Sequence, residues 1–344
     1  MPRRMSLEAL EDRTTPSVFV PGAFVVAGAD AGAPPEVRVI DPEDGSVLTQ
    51  FLAFPAGFVG GVRIAAGDIN GDGFPDLVAA AGPTGGPHVR AWGGSDGSLV
   101  RDFFAFPENF SGGVHVALGD VNGDGADEII TGAGAGGGPA VAVFDGRSGA
   151  ALGSFFAYDA GFRGGVRVAA GDADGDGRDE IVTAPGAGGG PHVRVFDFDP
   201  LTGAAEPIGG FFAYDPDFRS GVFVAAGDAD LNGAADIFTG TGFGGGPHVK
   251  AFATPQGDPL VGPLGSFLAY DESFRGGVRV AAADVFGTGT ADLITAPGPG
   301  GGSHVKVFRN PQPDPLAQPF AFPNGVRVGT HVAAGAGAAN FPST

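Results

Sequence analysis

The chain has 344 residues, with 39 acidic against 19 basic side chains, a formal charge of −20 and no cysteine. Disulfides, thiolate metal sites and a cysteine nucleophile are therefore excluded. The charge opposes binding to a nucleic-acid backbone, and no apolar run reaches the roughly 18 residues a membrane-spanning helix needs. Gly (65) and Pro (29) are abundant, but 30 Phe supply core material and Gly does not recur at every third position as collagen requires. The composition is that of a soluble, acidic, globular protein.

Taken in chain order, the first segment is MPRRMSLEALEDRTTPS. It has two early arginines but no apolar stretch, so it is not a standard secretion signal. It resembles the short L-E-x-L-E-D-R head of some large bacterial surface proteins, and residues 1–21 are read as a flexible segment or sorting tag. The β pattern then starts in mid-unit: FVVAGADAGAPPEVRVID (24–41) and FLAF (51–54) match second, third and fourth strands. From Gly61 a unit is copied along the chain, as GVRIAAGD, GVHVALGD from Gly113, GVRVAAGD from Gly165, GVFVAAGD from Gly221, GVRVAAAD from Gly277 and a worn GTHVAAGA from Gly329. The intervals are 52, 52, 56, 56 and 52 residues.

Each unit holds four short β-rich runs punctuated by Gly, Pro or Asp, for example GVRVAA, EIVTAP, HVRVF and FFAY between residues 165 and 214. Nothing of helical period and length lies between them. Four strands in about 50 residues fit a propeller blade. The fold expected is all-β: a six-bladed β-propeller of four-stranded antiparallel blades over residues 22–337. Strands from the two ends of the chain share one blade, which leaves no open edge. Seven blades is the alternative, and residues 338–344 are read as a tail.

The strongest chemical signal follows the first strand of each unit. Asp68, Asn70, Asp72 and Asp76 place oxygens at loop positions 1, 3, 5 and 9, with the Phe74 carbonyl at position 7. Three copies follow: Asp120, Asn122, Asp124, Ala126 and Glu128; Asp172, Asp174, Asp176, Arg178 and Glu180; Asp228, Asp230, Asn232, Ala234 and Asp236. Several hard oxygens with no His or Cys point to Ca²⁺, about four ions per chain; Mg²⁺ keeps waters in a stricter octahedron. Position 12 holds Ala79, Thr131, Thr183 or Thr239 rather than Glu, and strands flank the loop, so it is not an EF-hand. The fifth loop retains only Asp284 and Asp292 and the sixth has Ala336 at its first position, so no tight site is expected in either. With no base or substrate pocket evident beside the loops, the calcium is read as structural.

The run FSGGVHVALGDVNGDGADEIITGAG (110–134) resembles FG-GAP repeats, also called VCBS-like repeats, and the resemblance covers nearly everything from about 22 to 337. It implies the calcium-bearing propeller of the integrin α-subunit head. It also implies an extracellular or cell-surface place and a role in adhesion or ligand binding. Integrin heads have seven blades, a departure from the count made here. A polysaccharide lyase or hydrolase and a purely architectural surface-layer domain are the competing functions. An enzyme would break the repeat with long insertions, whereas only short expansions occur, near 197–210 and 253–265.

Other signals read as structural. GAGAGGG (132–138) precedes a strand, not the helix a phosphate loop needs, and GGSDG (93–97) is a hairpin turn rather than a nucleophile elbow. His88, His192, His248 and His304 sit at the start of third strands in different blades and are read as packing or loop-capping groups. If the acidic loops define the bottom face, the third position of each inner-strand motif falls near the upper channel mouth. Those residues are Arg63, His115, Arg167, Phe223, Arg279 and His331, with Arg163, Arg219 and Arg275 in the connecting loops. Two readings stand. The favoured one pairs these arginines with Asp159, Asp215 and Asp271 as ties between blades. The sharper one makes the top a cationic face for an acidic protein or glycan ligand, with no nucleic acid and no membrane insertion.

Overall fold

A computed structural model describes residues 17–20, 22–310, 312, 314–322, 329–337 and 339–342. Among these every regular element is a β-strand, and six antiparallel sheets surround a central channel. Blade 1 runs outward from the axis as Thr330–Gly335, Phe24–Ala29, Glu36–Ile40 and Val47–Leu52. Blade 2 is Val62–Gly67, Asp76–Ala81, His88–Trp92 and Leu99–Phe104. Blade 3 is Val114–Gly119, Glu128–Ala133, Ala140–Phe144 and Ala151–Phe156. Blade 4 is Val166–Gly171, Glu180–Pro185, His192–Asp199 and Ala204–Phe212. Blade 5 is Val222–Gly227, Asp236–Thr241 and His248–Ala253, its outer strand divided between Asp258–Pro259 and Ser266–Leu268. Blade 6 is Val278–Ala283, Asp292–Pro297 and Lys306–Phe308, and two isolated bridges, His304 to Phe320 and Val307 to Ala317, stand in for the fourth strand.

The burial pattern follows from this arrangement. All six second strands are buried at every residue, because neighbouring blades cover both faces, and they accordingly read as continuous apolar runs such as DLVAAA and EIITGA. Outer strands alternate, as in the eiieie pattern (exposed and intermediate) of Leu99–Phe104. Apolar side chains from adjacent blades mesh into clusters between them, such as Val182, Val195 and Ile237 between blades 4 and 5. The F-x-G-G turns exist for the same reason. A Cβ on Gly186 would lie 1.9 Å from the Gly164 carbonyl oxygen, so nothing larger than glycine fits where the turns cross.

The ring closes as the repeat arithmetic implies. Thr330–Gly335 pairs with Phe24–Ala29, Thr330 opposite Ala29 and Gly335 opposite Phe24. The inner strands of blades 6 and 1 pack side by side, as all other adjacent inner strands do. The blade number is six, not seven. The expected bounds change at both ends. Ser17–Val20 and Ala339–Pro342, placed outside the propeller on sequence grounds, pair as a two-stranded antiparallel ribbon. Val20 and Phe341 of that ribbon are fully buried in the cluster between blades 1 and 2, with the Phe341 ring edge-on to Phe24 at 4.9 Å. Thr49 Oγ1 donates to the Pro342 carbonyl at 2.9 Å. Residues 1–16, which carry the expected sorting tag, lie outside the described residues.

Candidate functional site

The acidic loops leave the inner strands on one face, here the bottom. In blade 2, Asp68 accepts the backbone N–H groups of Gly71 and Gly73 at 2.7 Å each and that of Asp72 at 3.2 Å. Asp120 and Asp172 accept the same set from their own loops, and Asp228 accepts the position-4 and position-6 N–H groups of Leu231 and Gly233. The tight winding needs positive φ at positions 4 and 6. Glycine supplies it everywhere except at Leu231, which adopts φ 62°. At each position 7 the N–H of Phe74, Ala126, Arg178 or Ala234 donates to the position-5 side chain at 2.8–3.0 Å.

The position-9 carboxylates, Asp76, Glu128, Glu180 and Asp236, open the second strands and are no more than 1% exposed. Each receives a backbone N–H, from Ile69, Asn122, Ala173 and Ala229 respectively. No cationic side chain pairs with any of them among the described residues, and Asp236 Oδ1 is buried with no partner at all. Burial first, and repulsion from neighbouring loop carboxylates second, push these carboxyls up to about 7 for Asp76, 8 for Glu128, 7 for Glu180 and 6 for Asp236. Four buried acids therefore lack a counter-charge.

Blade 6 shows what supplies it where the loop is degenerate. There Asp292 keeps position 9, but Phe286 and Thr288 replace ligands, and Arg309 closes on the carboxylate with Nε 2.8 Å from Oδ1. Its guanidinium lies over the Phe286 ring at 4.8 Å. Asp292 is fully buried, and burial still raises its carboxyl, but Arg309 pulls it back.

Acidic oxygens converge within 4.8 Å of one another in three loops: Asp172, Asp174 and Glu180; Asp228, Asp230 and Asp236; and Asp124, Glu128 and Asp145. Calcium oxygens lie about 2.3–2.6 Å from the ion, so such spacing suits one ion per cluster. In blades 2 and 3 the position-3 residue is Asn, and its Nδ2 donates to the deep carboxylate, Asn70 to Asp76 at 3.2 Å and Asn122 to Glu128 at 2.7 Å. The Asn70 and Asn122 amides thus occupy part of the space a cation would fill, and turning them over would present oxygen. Asp145, at the end of a third strand, was not anticipated as a ligand. Arg147 from the same hairpin reaches Asp124 at 2.5 Å and the Asn70 carbonyl of blade 2 at 3.2 Å.

The loops are also stitched to one another. The position-8 N–H of Asp127, Asp179, Ala235 and Ala291 donates to the carbonyl of the first Asp in the preceding blade, at 2.6–3.0 Å. Ordering one loop therefore orders its neighbour's backbone.

The six third-position residues all face the central channel. Arg63, His115, Arg167, Phe223, Arg279 and His331 ring a cavity of about 150 Å³ walled otherwise by Val, Ile, Leu and Ala. Arg63 Nη1 donates to the carbonyls of Ala81 and Val114, and Arg167 Nη1 to those of Pro185 and Val222, each bridging two blades. Arg279 pairs with Asp30, which also lies 3.4 Å from His331 Nε2. Burial raises the Asp30 carboxyl, but Arg279 and His331 together outweigh it and hold it well below the usual range. Burial lowers Arg63 to about 10 and Arg167 to about 9, and it takes His331 down to about 4 with His115 also well below normal.

The loop arginines do something else again. Arg163, Arg219 and Arg275 do not pair with Asp159, Asp215 or Asp271. Each donates Nη1 to carbonyls of its own turn, Arg163 to those of Ala160 and Phe162. The ties between blades come from third strands. Arg90, Arg194 and Lys306 donate to the carbonyls of Ala53, Ala157 and Ala269 in the preceding blades. Tyr158, Tyr214 and Tyr270 donate forward to the carbonyls of His192, His248 and His304 at 2.8–3.0 Å. Those histidines pack beside the outer strands, with His192 and His304 stacked on Phe212 and Phe320.

Residues 68–131, from the acidic loop of blade 2 into the second strand of blade 3, match the FG-GAP-like repeat family. No curated protein sequence matches the chain. Among solved structures, a chain of a nidogen/laminin complex aligns with a TM-score of 0.53 at 10% identity, over 91% of this chain and 98% of that one. The exotype rhamnogalacturonan lyase YesX aligns at 0.44 and 17% identity, over 89% of this chain and 53% of its own. A Bacillus licheniformis rhamnogalacturonan lyase aligns at 0.43 and 14%, over 90% and 70%. The chain thus spans about half the length of the first of these lyases. The likeness to the nidogen/laminin chain shows the propeller fold.

Proposed function

We propose that this propeller of FG-GAP-like repeats is a calcium-stabilised binding module acting at the cell surface or outside the cell, holding a protein or glycan ligand without turning it over. One observation carries the calcium reading. The deep carboxylate of blade 6 is neutralised by Arg309, while its four counterparts in intact loops are equally buried and have no cationic partner. A divalent ion at positions 1, 3, 5, 7 and 9 meets that need in blades 2 to 5, and the unpartnered Asp236 Oδ1 marks where it would sit in blade 5. The ion would be held by side chains whose backbone winding already exists, so its role is to lock inner hairpins rather than to activate water.

Extracellular modules bind calcium with Kd near 0.1–1 mM, so at ten times Kd each site contributes about 1.4 kcal/mol and four about 6. That magnitude suits an environment with millimolar calcium. The test is metal counting joined to thermal melting. Four calcium ions per chain and a melting temperature lowered by roughly 10 °C or more on chelation are expected. A metal-free protein that melts unchanged ends the reading. A glycan and protein array at millimolar calcium then tests the binding role.

A further inference from the structure

The channel ring has a pseudo-threefold pattern. Arg63, Arg167 and Arg279 come from blades 2, 4 and 6, and His331, His115 and Phe223 alternate with them from blades 1, 3 and 5. Each guanidinium is more than wall. Arg63 and Arg167 spend Nη1 on backbone carbonyls, which leaves the Nε–Nη2 edge, the edge that grips oxyanions in parallel, without a protein acceptor among the described residues. The Nε atoms of Arg63, Arg167 and Arg279 are shielded from solvent and have no partner among the described residues, and Arg279 is only 7% exposed as a whole. Buried donors of this kind are normally satisfied. Phe223, 3.8 Å from the Arg167 guanidinium carbon and 5.1 Å from that of Arg279, fixes the planes of both.

Charge points the same way. Among the described residues Asp30 is the one carboxylate paired with the ring, and it answers Arg279, so two positive charges remain with both histidines neutral. The rest of the lining is apolar, which strengthens any ionic contact formed inside. The volume of about 150 Å³ admits a sulfate- or carboxylate-sized group with a few waters.

We propose that the central channel binds a small oxyanion, sulfate-like or carboxylate, on the Arg63 and Arg167 guanidiniums beside the Arg279–Asp30 pair. This deepens the binding-module reading and rests on it for its purpose, while its test leaves calcium at saturation throughout. Failure of the calcium reading would show in metal counts, and failure of this one would not. Sodium selenate, sodium acetate and sodium chloride are titrated at equal ionic strength against the intact, calcium-loaded protein, and the melting temperature is followed. A saturable rise with selenate or acetate beyond that with chloride is expected, and whichever acts names the oxyanion class. Arg167→Met should weaken the effect at least tenfold. Asp30→Asn, which removes the competing carboxylate, should tighten it several-fold and serves if Arg167→Met does not fold. Identical responses to all three salts, or an Asp30→Asn protein that binds no more tightly, overturn the proposal.

Discussion

Replacing Arg309 by Met tests whether a buried position-9 carboxylate needs a counter-charge, in a loop that has lost all its other acidic positions but the first. The substitution keeps an unbranched apolar side chain but removes the guanidinium that lies over Phe286 and 2.8 Å from Asp292 Oδ1. Asp292 is fully buried and would retain only the Val285 N–H, at 3.1 Å. Breaking a buried pair by removing one partner costs about 3–5 kcal/mol. Arg309 is itself 24% exposed, so water reaches its end of the site and the lower figure applies. A loss of about 3 kcal/mol corresponds to roughly 4–5 °C in melting temperature for a domain of this size. The assay is guanidinium unfolding and calorimetry at saturating calcium, which keeps the other four loops constant. Added calcium should not rescue the variant, since Phe286 and Thr288 offer no carboxylate. The double variant Arg309→Met with Asp292→Asn should regain most of the loss, because no unpaired charge is then buried. An Arg309→Met protein within about 0.5 kcal/mol of the parent, or a double variant no better than the single, would refute the premise that these deep carboxylates need a counter-charge.

Two further outcomes follow from the same geometry. Without metal, Asp76, Glu128 and Glu180 hold protons up to about pH 7, 8 and 7, whereas in the unfolded chain they release them near 4. The folded state therefore binds more protons across that window. Stability of the chelated protein should fall as pH rises from about 5 to 8, by at most roughly 1.4 kcal/mol per pH unit for each group. Calcium should flatten or reverse the slope, and denaturant midpoints with and without EDTA decide it; a chelated protein that grows more stable over that range contradicts the assignment. Separately, Tyr158→Phe removes a hydroxyl that lies 2.8 Å from the His192 carbonyl and 3.0 Å from that of Thr183 across a blade boundary. It should cost about 1–2 kcal/mol, measured by urea unfolding. Phe106→Leu, at the equivalent position where no hydroxyl exists, provides the comparison for lost packing alone.

The repeat made the architecture legible because each blade satisfies its own backbone locally, and strand, turn and acidic loop recur at fixed offsets. The acidic loops were legible for the same reason, since positions 1 to 9 lie within one turn. What the sequence hid are contacts made between copies. Arg63 and Arg167 look like face residues until six inner strands converge and close the wall behind them. The N–H of Asp179 on the Asp120 carbonyl joins residues of different repeats, and no period within one unit reveals it. Arg309 left a faint trace. It stands where Asp145 and Asp197 stand in other units, in the same repeat that has lost its ligands, and reading the two departures together would have paired them. The terminal ribbon left none, because ANFP and SVFV match no repeat position.

Blade 1 takes its innermost strand from residues 330–335 and the rest from residues 24–52. A nascent chain therefore cannot complete the circle until residues 330–335 have left the ribosome. Until then Phe24–Ala29 offers an unzipped edge that any other copy of Thr330–Gly335 would fit. Two chains emerging side by side could swap that strand and seal each other's rings. The ribbon of Ser17–Val20 with Ala339–Pro342, which draws the two ends of one molecule together just outside the junction, acts as a latch favouring self-closure over exchange.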